Sequence, residues 1–422
     1  MTSHTSLSRR LIGALAASLL LVGTAACTSA PNDSTETTTA SAPTYQLTAE
    51  ARDACSAVLE RENPDASKHL IIIDDSTASR APSPMPPDLA EAITDTSVSD
   101  GSVSVIAVDG EGEEPALLAK YAALSTPGDR TRPSVGELAD VMPSCVDQVL
   151  LSQVAPTAPG TDLHRALALA SELTTVTSEV WLRTDLVSTN GPFALDNDLL
   201  ALEPAEAGRR IASAAPIDFD GAALHIIGIG TTNEPLLTAN REWLRDLATQ
   251  LCSSWNATGC EGITATPGKA GDVSEGLPED HLPTFPSVVS DPTAGGCTFE
   301  APASIVFAGD SSALRDDASI AFANAIALML ANPTSTATIV GHTASSAAAS
   351  DEGDRVLSEM RADAVLAFFV AAGVDDDRLT ALGVGDSQPK VEDLDENGEQ
   401  IAAAAATERR VDILVEGTGC SA

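Results

Sequence analysis

The chain has 422 residues, with 61 Asp or Glu against 23 Lys or Arg, and a formal charge of −38 at neutral pH. Such acidity repels nucleic acid and anionic lipid headgroups, and it excludes both as partners of an exposed surface. The length suits two or three domains.

The amino terminus reads MTSHTSLSRRLIGALAASLLLVGTAAC. Arg9 and Arg10 form a basic start, and the apolar run from Leu11 to Val22 is too short to span a bilayer. The ending TAAC resembles the lipobox of bacterial lipoproteins, with Thr24 where Leu is favoured. The resemblance implies a signal peptide over 1–26, cleavage before Cys27, and diacylglycerol on the Cys27 sulfur. Each buried acyl methylene then contributes roughly 0.8 kcal/mol to membrane attachment. The mature chain is expected on the extracytoplasmic face of the membrane, in the cell envelope.

With Cys27 lipidated, six cysteines remain: Cys55, Cys145, Cys252, Cys260, Cys297 and Cys420. In an exported chain an even set predicts disulfides, and six thiols allow 15 pairings. Position favours Cys252 with Cys260 and Cys297 with Cys420, which leaves Cys55 with Cys145. Zinc is the alternative, but there is no CxxC pair and no His near the thiols.

Residues 27–48 are rich in Ser, Thr and Pro and predict a disordered tether. A helix follows at AEARDACSAVLERE. From residue 49 to 263, short apolar strands alternate with helices. HLIIID (69–74), SVSVIAVD (102–109), EVWLRTD (179–185) and LHIIGIG (224–230) are the strands, and LHRALALASEL and NREWLRDLATQLCS are helices. This pattern predicts an α/β domain with a parallel sheet, whose ligands lie beyond the carboxyl ends of the strands.

Three polar groups fall at those ends: DDSTAS (74–79), GTDL (160–163) and TDL (184–186). The layout resembles the von Willebrand factor A domain, a doubly wound parallel sheet that holds Mg²⁺ or Mn²⁺ through Asp-x-Ser-x-Ser, a distant Thr and a further Asp. Matched by position, Asp74, Ser76, Thr161 and Asp185 take those roles, with Ala78 in place of the second Ser. A frame shifted by one gives Asp75, Thr77 and Ser79, which restores the oxygens that hard cations need. As helix caps the same residues need no metal, and Asp162 or Thr161 could cap the helix at Leu163. Nothing else in the sequence calls for a cofactor.

Residues 264–296, full of Pro and Gly, read as a linker. The segment 297–422 mixes both element types. Strands are expected at SIVFAG (304–309), TATIVGHT (336–343) and RVDILVEG (410–417), and helices at about 316–330 and 358–373. GHT (341–343), LSEMRADAV, GVDDDRL, GVGDSQP and ERRVDILV follow in an order that resembles the OmpA-like peptidoglycan-binding domain. That family implies an α+β sandwich of β-α-β-α-β order and a diaminopimelate-bearing stem peptide as ligand.

Carried over residue by residue, the binding set is His342, Thr343, Asp354, Ser358, Arg361, Arg409 and Arg410. Arg361 would take a carboxylate with its planar fork. The family's ammonium-binding Asp after GHT is Ala344 here, and its Asn ahead of Arg-Arg is Glu408. Asp351, Glu352 or Asp354 is the expected substitute for the missing acid. DLDENGEQ, from Asp393, imitates a calcium loop but has Ala404 where the bidentate Glu belongs, so it reads as a solvated loop.

No His stands in a GxSxG or HExxH context, and no nucleophile signature is present. The expectation is a non-enzymatic lipoprotein that ties membrane to peptidoglycan, with the A-like domain engaging an envelope protein. The rival is a scaffold that has kept the OmpA-like fold and lost wall affinity.

Overall fold

The computed structural model describes residues 46–80, 84–126, 133–260, 276–309, 311–345 and 351–420. The signal peptide, Cys27 and most of the tether lie outside these residues. The chain divides into two compact units. The first comprises the residues up to Ala194, Arg209–Pro235 and Ala248–Leu282, and the second Leu195–Gly208, Leu236–Leu247 and Pro283 onward.

In the first unit, helix α1 (Ala49–Leu59) leads into strand β1 (His69–Asp74). Then come α2 (Pro87–Val98), β2 (Ser102–Ala107), β3 (Ala116–Ala123), α3 (Pro133–Cys145), α4 (Leu163–Leu173), β4 (Ser178–Arg183) and β5 (Ala223–Ile227). Strand order is β3-β2-β1-β4-β5, with all neighbours parallel except the β2–β3 pair. β1 and β2 are buried along their whole length, which is why their sequences run continuously apolar instead of alternating. From β1 the chain winds to β2 on one side and returns to β4 on the other, so a switch point lies between β1 and β4. Crevices at such points, beyond the carboxyl ends of the strands, receive ligands. β3 was not legible as a strand, because its outer residues are exposed and its composition is Ala-rich.

His69 on β1 is 5% exposed, and its Nε2 lies 2.9 Å from the Ser104 hydroxyl. Burial lowers its pKa to about 4. The unfolded chain therefore binds the proton that the fold refuses between about pH 6.5 and 4. Stability is full above that window and is lost as pH falls through it, by up to about 3 kcal/mol. His69→Gln is expected to flatten the unfolding midpoint of the first unit between pH 7 and pH 4. An unchanged slope would remove His69 from this role.

The second unit has helices α5 (Asn197–Leu200), α8 (Ala303–Val306), α9 (Ala318–Ala321), α10 (Ala323–Ala331), α11 (Asp351–Ala371) and α12 (Ala402–Glu408). Helices α6 (Pro204–Ala214) and α7 (Thr238–Ser254) precede α8 in the chain. Its sheet has the order β6-β7-β10-β8-β9, from Val289–Thr293, Gly296–Pro302, Arg410–Glu416, Thr336–Gly341 and Leu379–Gly383. Only the β8–β9 pair is parallel.

Three expectations need correction here. The first strand is not 304–309 but β7, whose Cys297, Phe299 and Ala301 alternate into the core. Residues 303–306 turn instead into α8, because a short apolar run fits a buried helical turn as well as a strand. The helix expected over 316–330 breaks at Phe322, which is buried and has non-helical angles. The linker assigned to 264–296 contains β6, and residues 276–282 fold with the first unit.

Disulfides join Cys55 to Cys145, Cys252 to Cys260 and Cys297 to Cys420, at Cα separations of 5.4, 6.1 and 5.0 Å. Among the described residues no helix is long and apolar enough to cross a membrane.

Candidate functional sites

The first site gathers at the carboxyl ends of β1 and β4. Asp74 and Asp75 follow one another on an extended backbone, so their side chains point to opposite sides. Asp74 turns to two buried guanidiniums, with Arg183 Nη1 at 3.2 Å and Arg80 Nη1 at 3.3 Å from its Oδ1. The Ser76 hydroxyl donates to Asp74 Oδ2 at 3.0 Å. The pair Asp74 and Ser76, expected to hold a metal, is thus committed to an ion cluster and does not join Thr161.

The shifted frame does join it. Asp75 Oδ1 accepts from the Thr77 hydroxyl at 2.8 Å and Oδ2 from the Thr184 hydroxyl at 2.7 Å. Thr77 Oγ1 lies 2.8 Å from Thr161 Oγ1 and 3.2 Å from Ser79 Oγ. Asp75, Thr77, Ser79, Thr161 and Asp185 are all buried. Asp185 Oδ1 accepts from the Val187 amide at 2.8 Å, while its buried Oδ2 has no hydrogen-bond partner among the described residues. The next residue, Leu186, is held at φ 65°, a conformation costly for a branched side chain.

One further acid completes the cluster. Asp280 places Oδ2 2.5 Å from the Thr161 hydroxyl and Oδ1 2.7 Å from the Thr189 hydroxyl. The Gly160 amide donates to the Glu279 carbonyl at 2.9 Å. Gly160 has φ +81°, and a Cβ there would strike the Asn190 side chain, so the loop beneath Asp280 requires glycine.

Hydrogen counting shows what this arrangement lacks. The contacts Asp75–Thr77, Thr77–Thr161 and Thr161–Asp280 are all hydrogen-bond length, yet Thr77 and Thr161 supply one hydroxyl proton each. One contact is left without a proton. Burial raises the pKa of Asp75, and burial together with the Asp75 charge holds Asp185 well above the carboxylate range. A cluster of oxygens short of protons, with one buried carboxylate oxygen unpartnered, fits a hard cation or an additional shared proton.

The second site lies where β8, α11 and β10 meet. Gly341 ends β8, and a Cβ there would sit 2.0 Å from the Ser358 carbonyl; at Gly383 of β9 it would meet the Glu359 amide at 2.3 Å. These glycines let α11 approach both strands. Thr343 N–H donates to the Gly385 carbonyl at 3.1 Å, and Gly385 N–H to the Ser358 hydroxyl at 2.9 Å. Ser358 thus braces the loop beyond β9. His342 Nε2 lies 3.2 Å from Asp412 Oδ2, and Arg410 Nε approaches the same oxygen at 3.2 Å. Burial pushes the Asp412 carboxyl up, but the adjacent His342 imidazole and the Arg410 charge outweigh it and leave its pKa low.

Arg361 points inward from α11 and is 2% exposed. Its Nε donates to the Ser311 carbonyl at 3.0 Å, and its guanidinium lies over the Phe307 ring at 5.2 Å. Arg410, expected at the ligand, is instead buried against Glu408, Nη1 to Oε2 at 2.8 Å. Glu408 Oε1 also accepts the amides of Lys390 and Val391, each at 2.8 Å. The Glu in the family's Asn position is therefore a structural brace. Arg409 is half-buried, and Asp354 is half-buried and engaged.

One acid near Ala344 is Asp393, expected from sequence in a solvated loop. Glu352 pairs with Arg355 at 2.8 Å in solvent, and the Asp351 side chain lies outside the description. Asp393 Oδ2 accepts the Ser345 amide at 2.7 Å and is 3% exposed. Its neighbour Asp395 caps its own turn, accepting the Asn397 and Glu399 amides at 2.8 Å. The calcium-like spacing around Asp393 hid one buried carboxylate behind a solvated turn.

Residues 306–407 match the model of the OmpA family. Over 125 residues the chain is 34% identical to photosystem I P700 chlorophyll a apoprotein A2 of Gloeobacter violaceus, covering 30% of this chain and 14% of that protein. Solved structures similar to it include a MotB-like protein from Desulfovibrio vulgaris, at 26% identity, 31% of this chain, 81% of that chain and a TM-score of 0.27. The cell wall anchor of the T6SS from Pseudomonas aeruginosa matches at 21% identity, 31% and 88% coverage, and a TM-score of 0.27. The OmpA-like domain of FopA1 from Francisella tularensis matches at 21% identity, 33% and 86% coverage, and a TM-score of 0.26.

Proposed function

We propose that this is a non-enzymatic envelope lipoprotein that ties the membrane, through lipid on Cys27, to peptidoglycan, through its OmpA-like unit. The observation that carries the reading is Arg361, present at the family's carboxylate-binding position within the matched segment and held on α11. The first unit is a von Willebrand factor A-like interaction module for another envelope protein. Asp75, Thr77, Ser79, Thr161 and Asp185 would hold Mg²⁺, which supplies a Lewis-acidic seat for an acidic ligand.

A second reading has a specific observation behind it. Ala344 removes the ammonium-binding acid, and Arg361 is covered by Phe307 and the Ser311 carbonyl. Loss of one partner of a desolvated charge contact costs about 2–5 kcal/mol, so a scaffold without wall affinity is the rival.

Fractionation of one lysate tests both. The wild-type chain is expected in membranes and with sedimented diaminopimelate-type peptidoglycan. Arg361→Lys, which keeps a buried cation but loses the planar fork, should leave the wall fraction while circular dichroism shows the second unit still folded, and Cys27→Ser should leave the membrane. A wild-type chain that never sediments with peptidoglycan overturns wall tethering, and partners that co-purify after wall digestion favour the scaffold.

A further inference from the structure

Asp280 belongs to no metal-binding pattern, and it comes from the Pro-rich segment after the first unit's last helix. Yet it is the group at the mouth of the cluster. Beneath it Asp75, Thr77, Ser79, Thr161 and Asp185 are buried, while Thr189 and Asp280 itself are half-buried. Both of its carboxylate oxygens are held, by the hydroxyls of Thr161 and Thr189. The main chain beside it is held too, by the Gly160 amide on the Glu279 carbonyl. A side-chain carboxylate on two hydroxyls with an adjacent main-chain hydrogen bond is how an extended acidic peptide would dock here. The occupant is the protein's own chain.

We propose that Glu279–Asp280 is a built-in strap that fills the acid-receiving position of the first unit, so that this unit is closed to outside acidic ligands until the strap is withdrawn. The inference rests on the reading of the first unit as an acid-binding module and names its resting occupant. A strap in the same chain competes at an effective concentration of the order of millimolar, which a dilute partner does not match. Withdrawal frees the hydroxyls of Thr161 and Thr189 together. The next residues, from Pro283, belong to the second unit. The strap is therefore the last piece of the first unit before the chain leaves it.

The probe is a fluorescent peptide of residues 276–284, GLPEDHLPT, added to the full mature chain. Wild-type protein is expected to ignore it. Asp280→Ala protein should bind it at least about tenfold more tightly, the scale of one or two charge-assisted hydrogen bonds. A peptide with Ala for the Asp should bind neither protein. Asp280→Asn is the second variant should Ala impair folding, and release of the Gly160 amide to faster hydrogen exchange checks that the strap has lifted. Equal binding by wild type and a folded variant overturns the strap, and so does no binding by a folded variant. Repeating the titration in EDTA separates the two ideas. Binding that persists without Mg²⁺ removes the cation and leaves the strap standing.

Discussion

Arg410→Met is expected to destabilise the second unit by about 3–5 kcal/mol, the usual cost of breaking a buried ion pair from one side. Arg410 and Glu408 are each about 3% exposed at the side chain, and the Asp412 side chain is 13% exposed. Removal of the guanidinium strips both Glu408 and Asp412 of their shared partner. The loss should be larger than that of Arg409→Met, since Arg409 is only half-buried. Adding Glu408→Gln to Arg410→Met should recover part of the loss, because it removes a stranded charge while Oε1 continues to accept the Lys390 and Val391 amides. Urea melts followed by hydrogen exchange of β10 amides measure this. If Arg410→Met costs less than about 1 kcal/mol, the cluster is not the brace described, since such a value is typical of exposed pairs.

The second large effect is the loss of Cys297–Cys420. It closes a loop of sequence separation 123, against 8 for Cys252–Cys260. Loop-closure entropy gives about 5 kcal/mol for the first and about 2.5 kcal/mol for the second. Replacing Cys297 by Ala together with Cys420 by Ser should therefore lower the stability of the second unit by up to about 5 kcal/mol. The cost should exceed that of the corresponding Cys252/Cys260 change by about 2 kcal/mol. Equal losses would indicate that native-state packing around Cys297, which is fully buried, sets the effect.

The legible parts of this fold are those with periodicity or a turn residue behind them. β1, β2, β4 and β5 were marked by apolar runs ending in polar or glycine residues, and α4 by helical spacing and its Asp162 cap, which accepts the Arg165 amide. The cysteine spacing limited the pairings. What failed did so for physical reasons. By position the match favours Asp74 over the shifted frame from Asp75, and only the buried guanidiniums of Arg80 and Arg183 show that Asp74 is withdrawn from the cluster. SIVF resembles a strand in sequence because three successive apolar residues carry no period. Asp280 has no local signal and Asp393 carries only a misleading calcium-like one, since each becomes part of a site only when a remote segment folds back over it. Arg361 was legible as a site residue, but its cover by Phe307 and Ser311 was not.

The disulfide at Cys55 also determines how the molecule takes mechanical load. A pull applied at the tether, ahead of α1, passes from Cys55 across the bond to Cys145 and onward, bypassing residues 56–144. Strands β1, β2 and β3 hang off that path and carry no tension. Reduction of the bond would bring them into it, and their full extension adds roughly 300 Å at about 3.3–3.6 Å per residue. While it stays oxidised, a pull on the two ends of the chain falls on the segments before Cys55 and after Cys145.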